Sequence, residues 1–174
     1  SFELGCKLHL ALFFDDGHEK EMTDFLKWFS ARKPDVSVLL LFDRSQPSTP
    51  DRLALSIIPE IKKADPDVSI ATGTNANLAQ MNRNRPGNTG NDHICYSIHP
   101  REHASDDRTL TENLKAQEYT VRSARAFAGK KGIIVSPVTI AGRFNANNNY
   151  IETASAGSNM PPQVDSRITS LFGA

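Results

Sequence analysis

The stretch VSVLLLFDRSQPSTPDRLALSIIPEIKKADPDVSIATGT, residues 36–74, contains two short apolar runs separated by a segment with helical periodicity. The runs at 36–42 and 68–74 are apolar and rich in β-branched residues, which is typical of parallel strands buried on both faces. Between them, Thr49 and Pro50 predict a helix start, and Pro59 is expected to kink the helix. Its predicted apolar face carries Leu53, Ile57, Ile58 and Ile61. The stretch therefore predicts a strand–helix–strand unit.

The same pattern recurs on both sides of this unit, with apolar runs at 8–14, 93–98 and 132–140. A segment at 18–32 predicts a crossover helix whose buried face carries Met22, Phe25, Leu26 and Phe29. A second helix is predicted to start with a Thr109–Glu112 capping box and to end at Gly129. Its predicted buried residues are Leu114, Val121, Ala124 and Phe127. The residues after strand three, 75–91, have no pattern for a full-length helix.

The spacing of the strands predicts an α/β fold, specifically a partial (β/α)8 TIM-type barrel. Strand starts fall about 30 residues apart, close to the unit length of an eight-fold barrel of roughly 250 residues, so about five units fill this chain. The alternative is an open doubly wound parallel sheet, which suits the same length. Against that alternative, no glycine-rich phosphate loop follows any predicted strand.

The two ends of the sequence each resemble an interrupted helix. SFELGCK (1–7) is typical of a last helical turn closed by Gly5, and in VDSRITSLFGA (164–174) Asp165 is a candidate N-cap. We therefore interpret residues 1–174 as a single domain and a fragment of a larger barrel. We expect the remaining barrel segments or a homo-oligomer to cover the exposed sheet edges.

Composition narrows the possible partners. The 174 residues include 20 basic and 20 acidic ones, with no basic stripe, so nucleic acid is not an expected partner. Cys6 and Cys95 form no paired motif and are both interpreted as buried thiols. No apolar stretch reaches the length of a membrane span, and no signal peptide is visible. We expect a cytoplasmic protein without a cofactor.

The first two predicted strands end in charged residues. Strand one is followed by Asp15, Asp16 and His18. We interpret this group as a helix N-terminus that carries acidic residues, which is favoured over a catalytic role. Strand two is followed by Asp43 and Arg44, which fit a salt bridge in a barrel mouth and a solvated turn equally well. Both folds place their chemistry at the carboxyl ends of the strands.

The third and fifth strands are followed by amides and guanidinium groups, which hydrogen-bond hydroxyls and carboxylates without titrating. After strand three the candidates are Asn75, Asn82, Arg83 and Arg85, which suit a polyol or sugar acid; the alternative is an Asn-rich capping loop. After strand five, Arg143 and Asn145 are candidates for an oxyanion or carboxylate clamp, or Arg143 pairs with an acid at the rim.

The fourth strand ends in CYSIHPREHASDD, residues 95–107. His99, Glu102 and His103 match the H-x-x-E-H zinc pattern, but Pro100 interrupts the helix that this pattern needs, so no metal site is expected. The segment still gathers acid–base candidates in His99, Glu102, His103 and Asp106. The alternative is that Asp106 and Asp107 only precede a helix and that His103 packs in a loop.

Several uncommon strings together resemble the D-apionate lactonase family. They are IATGTNANLAQMNRNRP, DHICYSIHPREHASD, LTENLKAQ, VSPVTIAGRFNAN and PPQVDSRITSLFGA, which cover roughly residues 8 to 174. The resemblance implies a barrel enzyme that opens a sugar-derived lactone by hydrolysis. Positions matching the family pattern are Asn82, Arg83, Arg85, His103, Asp106, Arg143 and Asn145. Two places depart from it: Gln80 replaces the usual Glu, and His99-Pro100-Arg101 replaces Asn-Pro-Gln.

The resulting hypothesis is a carbohydrate-processing hydrolase that opens a lactone of a small sugar acid by water attack. His103 is the candidate base, paired with Asp106 or Glu102, and Arg143 or Arg83 would stabilise the oxyanion. One alternative is a glycoside hydrolase that uses Glu102 as one of two carboxyl groups. Another is a non-catalytic sugar-binding module, because Gln80 cannot exchange a proton.

Overall fold

The computed structural model describes residues 5–15, 17–101, 104–142 and 165–169. Five strands alternate with four helices in these residues: β1 (Leu8–Phe14), α1 (Glu19–Arg32), β2 (Val36–Asp43), α2 (Asp51–Ala64), β3 (Ser69–Gly73), α3 (Leu78–Arg83), β4 (His93–Ile98), α4 (Asp107–Ala128) and β5 (Gly132–Val138). A 3₁₀ helix, Ser166–Thr169, follows. All five predicted strands are confirmed, and α3 is only 6 residues long, as the lack of a full helical pattern predicted.

The strands form one parallel sheet in the order β1-β2-β3-β4-β5. A doubly wound sheet reverses its strand order at a switch point, whereas a barrel places each strand beside the one before it. The sequential order confirms the partial TIM-type barrel and excludes the doubly wound alternative. Within the described residues, β1 and β5 each pair on one side only. The expectation that further barrel segments or a second copy cover these edges stays a prediction.

The two faces of the sheet have different neighbours. On one face, Leu39 and Leu41 of β2 pack in a cluster with Met22 of α1 and the apolar residues of α2. On the other, Val38, Leu40 and Phe42 contact the strand residues Ala71 and Cys95 and no buried helix residue. Helices therefore cover the outer face, and strand side chains fill the inner face, as in a barrel.

Helix α2 supplies the largest apolar face of the outer layer. Leu53, Ile57, Ile58 and Ile61 are all buried, as their spacing predicted. Each such side chain contributes roughly 1.5–3 kcal/mol on burial. The helix continues through Pro59, where Pro59 and Leu55, whose carbonyl loses its usual partner, both face solvent. The expected kink stays a prediction. The predicted face of α1 is also confirmed, with Met22 and Phe29 buried.

Helix α4 differs from its prediction at its start and on its buried face. It begins at Asp107, one turn or less before the predicted Thr109–Glu112 box, and Asp106 is the N-cap instead. Glu112 pairs with Arg108 on the surface. Leu114 and Val121, predicted to be inside, are exposed, while Leu110, Ala124 and Ala128 are buried. Ala124 and Ala128 pack in one cluster with Ile94 and Tyr96 of β4, and Phe127 packs against it, so the second half of the predicted face is confirmed.

No helix in the described part of the chain is both long and apolar enough to cross a membrane.

The inward-facing Cys95 offers a test of the barrel interior. Burial raises the pKa of its thiol to about 12, whereas Cys6, also predicted to be buried, is exposed. We expect Cys95→Ser to destabilise the protein by roughly 1–3 kcal/mol, because a hydroxyl replaces a thiol among apolar neighbours. Cys6→Ser is the control and should leave the urea midpoint unchanged. Equal midpoints for the two variants would contradict a packed interior.

Candidate functional site

The ends of β1 and β2 are joined by ion pairs at the surface. Arg44 Nη1 lies 2.5 Å from Asp15 Oδ2 and 3.6 Å from Glu21 Oε1, and about half of each of the Arg44 and Asp15 side chains is exposed. Asp43 Oδ1 accepts hydrogen bonds from the Ser45 and Gln46 backbone and from Ser45 Oγ. Arg44 therefore forms a salt bridge with Asp15, while Asp43 stabilises the turn after β2.

The end of β3 is held by two threonines that the sequence patterns did not identify as site residues. Thr49, predicted to cap α2, uses its hydroxyl on Leu41 O at 2.5 Å and accepts from Gly73 N at 3.1 Å. Thr74 N donates to Cys95 O, and Thr74 Oγ1 donates to Pro47 O. Gly73 has φ +156°, and a Cβ there would lie 2.1 Å from Cys95 O, so only glycine fits. In the sequence, the adjacent Gly73 and Thr74 at the end of a predicted strand could have indicated this close contact.

Asn75 and His99 lie at neighbouring strand ends, as predicted. The chain after β3 continues beside β4, because Thr74 N donates to Cys95 O and Ser97 N donates to Ala76 O. This pairing places Asn75 alongside the last residues of β4, and His99 follows directly. Both side chains are half-buried. The structure therefore brings these two candidates to the same part of the mouth.

The ring of His99 lies against the backbone that follows β5. A Cβ added to Gly142 would be 2.8 Å from Nε2 of His99, so the imidazole fills the space a side chain would take. Thr139 N also donates to Ile98 O at 3.2 Å, which joins the ends of β4 and β5. His99 is thus positioned between the ends of β4 and β5, against Gly142.

The candidates on and after α3 do not all reach the mouth. Arg85 Cζ lies 4.3 Å from the centre of the Phe127 ring, and Arg85 Nη2 donates to Asn82 Oδ1. Phe127 is in the last turn of the 22-residue helix α4, about 30 Å along the helix from its start at the strand ends. Arg85 is therefore held far from the mouth. Asn82 and Arg83 are exposed at the end of α3, and Gln80 is buried.

Asp106 is the N-cap of α4. Its Oδ1 accepts a hydrogen bond from Thr109 N at 3.0 Å, and the residue is exposed. This backbone hydrogen bond is the main cause of a lowered pKa for Asp106. The carboxylate therefore stays charged at neutral pH, and part of its hydrogen-bonding capacity is used by the helix start.

A cluster of four charged residues near the end of β4 was not predicted. Asp165 accepts hydrogen bonds from Arg101 and Arg167, and Arg167 also contacts Asp107. The hydrogen bonds with Arg167 hold the pKa of Asp165 well below its usual range, and those with Asp165 and Asp107 raise the pKa of Arg167. Asp165 was predicted only as a helix N-cap, and its Oδ1 does accept from Arg167 N at the 3₁₀ helix.

Four predicted site residues, Glu102, His103, Arg143 and Asn145, lie outside the described residues, as does Asp16. Their roles stay predictions. Among the residues that are described, no three His, Cys, Asp or Glu side chains come together in an arrangement that could hold a metal ion. Of the predicted site residues that are described, Asn75 and His99 thus lie at neighbouring strand ends, and the charged cluster lies near the end of β4.

A family model described as "D-apionate lactonase, TIM barrel domain" matches residues 1–174. The matched range is the whole sequence, and the named fold agrees with the sequential parallel sheet. No curated protein and no solved structure matches the chain. The family model and the five strings quoted from the sequence therefore indicate the same family.

The contact between His99 and Gly142 can be tested by a mutant cycle. Gly142→Ala should destabilise the protein by about 1–3 kcal/mol, because the new methyl group overlaps the imidazole. His99→Ala removes the ring and should relieve that overlap, so the double variant should be more stable than the sum of the two single changes predicts. Urea unfolding of all four proteins measures this coupling. Strict additivity would mean that the ring is not against Gly142.

Proposed function

Because the chain belongs to the D-apionate lactonase family through its TIM barrel domain, we propose that it hydrolyses a lactone of a small sugar acid. The family match over residues 1–174 is the observation that carries the proposal. Polar residues at the carboxyl ends of neighbouring parallel strands, where barrel enzymes hold their active sites, support it. The proposed substrate resembles an apionolactone: a small ring ester that bears hydroxyl groups.

Opening a lactone by hydrolysis requires three functions from the protein. A base activates water, a donor stabilises the tetrahedral oxyanion, and an acid protonates the ring oxygen as the C–O bond breaks. We assign the base to His103, since the ordinary pKa of histidine is near neutral pH. Glu102 is the proposed partner that orients it, because Asp106 already accepts the Thr109 N–H. Arg143 is assigned to the oxyanion. Arg83, the second candidate on sequence, is left out because its neighbour Asn82 bonds the distant Arg85.

Asn75 and His99 are proposed to bind the hydroxyl groups of the substrate. An amide offers a donor and an acceptor, and an imidazole offers one of each when neutral, so both can pair with a hydroxyl. Their positions at the ends of β3 and β4 support this assignment. Neither needs to titrate for this role. Arg85, which was grouped with them on sequence, is left out because its guanidinium packs on Phe127.

The experiment that tests the function compares ester and glycoside cleavage. We expect the protein to release acid from apionolactone-type lactones, measured by base consumption at constant pH against the spontaneous rate. We expect no nitrophenol from aryl glycosides. Glycoside cleavage without acid release would favour the glycosidase alternative. Binding of a sugar acid by calorimetry without turnover would favour the binding module, for which Gln80 in place of Glu is the only hint.

The assignment of His103 predicts a specific loss of turnover. His103→Ala should lower kcat for the lactone by about 10²–10⁴-fold, which is typical of losing a positioned acid–base group. The control is His18→Ala: His18, the residue before α1, has its Nε2 2.8 Å from Ser56 Oγ of α2, so its loss should leave kcat unchanged. Near-normal turnover by His103→Ala would leave His103 as a loop residue.

Because Asp106 is the N-cap of α4, we predict that it acts in helix stability and not in catalysis. Asp106→Asn should keep both the melting temperature and kcat close to those of the parent, because an asparagine oxygen also accepts the Thr109 N–H. Asp106→Ala should lower the melting temperature because no cap remains. A fall in kcat for Asp106→Asn at an unchanged melting temperature would show instead that the charge acts in catalysis.

A further inference from the structure

We propose that Asp165 is a positioning residue that fixes the connection between β4 and α4, residues 99–106, for catalysis. The proposal rests on the proposed function, because this connection carries Glu102 and His103 in sequence. No local sequence pattern indicates that Asp165 would have this positioning role. The argument depends on Arg101, Ser105, Asp107, Asp165 and Arg167, all of which the structure describes.

The Asp165 carboxylate is the centre of the arrangement. Its Oδ2 accepts from Arg101 Nη1 at 3.0 Å and from Arg167 Nη2 at 2.7 Å, and its Oδ1 accepts from Arg167 Nε at 2.9 Å. Only 6% of the Asp165 side chain is exposed. Arg167 therefore forms the two-pronged pair in which arginine binds carboxylates most strongly, and Arg101 adds a third charge-assisted hydrogen bond.

Arg167 also contacts residues that follow positions 102 and 103 in the chain. Its Nη1 donates to Ser105 O at 2.8 Å and to Asp107 Oδ1 at 2.6 Å. Arg101 directly precedes residues 102 and 103, while Ser105 and Asp107 follow them within four positions. Through the two arginines, Asp165 is thus linked to residues on both sides of positions 102 and 103.

The first part of the connection is already held by α4. Asn113 Nδ2 donates to Pro100 O at 2.7 Å, and Gln117 Nε2 donates to His99 O at 3.4 Å. Beyond Pro100, the described residues of the connection before α4 form no helix or strand of their own. The contacts to Asp165 and Arg167 therefore supply anchoring that secondary structure does not supply there.

Burial distinguishes this cluster from ordinary surface ion pairs. Arg108 and Glu112 form a pair on the same helix, but their side chains are 87% and 65% exposed, so water competes for them. The Asp165 carboxylate is shielded, and removing its charge leaves two guanidinium groups without their shared acceptor. A catalytic group needs placement to within a fraction of an ångström, and a shift of about 1 Å can cost about 10²-fold in rate.

The test is the kinetics of Asp165→Asn beside the control Glu112→Gln, which removes one carboxylate charge from the exposed pair. We expect kcat for the lactone to fall about 10²-fold in Asp165→Asn, with KM changed by less than about threefold, because orientation is lost and not substrate binding. Asp165→Glu should recover part of kcat, since it keeps the charge. Glu112→Gln should match the parent. An unchanged kcat in Asp165→Asn would overturn the proposal.

A second measurement separates this proposal from the proposed function. Amide hydrogen exchange of residues 104–107 should be faster in Asp165→Asn than in the parent and in Glu112→Gln, whether or not the protein hydrolyses lactones. A parent without lactonase activity would end the proposed function, and exchange would then decide the positioning role alone. If Asp165→Asn does not fold, Arg101→Gln replaces it in both measurements, because it removes one donor from the same carboxylate. Unchanged exchange in that variant would overturn the proposal.

Discussion

Parallel strands that are apolar on both faces must be covered on both faces, and this constraint determines the architecture of the protein. In β2, Leu39 and Leu41 contact helices while Val38, Leu40 and Phe42 contact other strands. A parallel sheet covered by helices on one side can bury its second face by curving onto itself, as a barrel does. The sequential strand order follows from the same requirement, because each crossover helix returns the chain beside the strand it has just left.

The candidate site is a consequence of this parallel arrangement. All strands end at one rim, so residues far apart in sequence, such as Asn75 and His99, become neighbours through the pairing of β3 with β4. Gly73 permits the close approach of these strands, and Gly142 provides space for the His99 ring. Two glycines, which have no side chains, thereby determine where the candidate side chains can lie.

The connections at the rim are held mainly by side chains that bond to backbone groups. Thr49 and Thr74 bond the β3 end to the connection after β2, and Asn113 bonds the start of the connection after β4. Asp165 and Arg167 complete the anchoring of that connection by charge. The described residues of these connections form no helix or strand of their own, so hydrogen bonds and ion pairs hold them in place.

The sequence by itself determined the strands, the apolar faces of α1 and α2 and the family, because these depend on short-range periodicity and on contiguous motifs. It also located Asn75 and His99, which directly follow strands. Tertiary structure alone decided that Arg85 packs on Phe127, that α4 buries Leu110 and exposes Leu114, and that Asp165 meets Arg101, 64 residues earlier in the chain. Long polar side chains reach in several directions, so only the packed neighbours determine which partner each one binds.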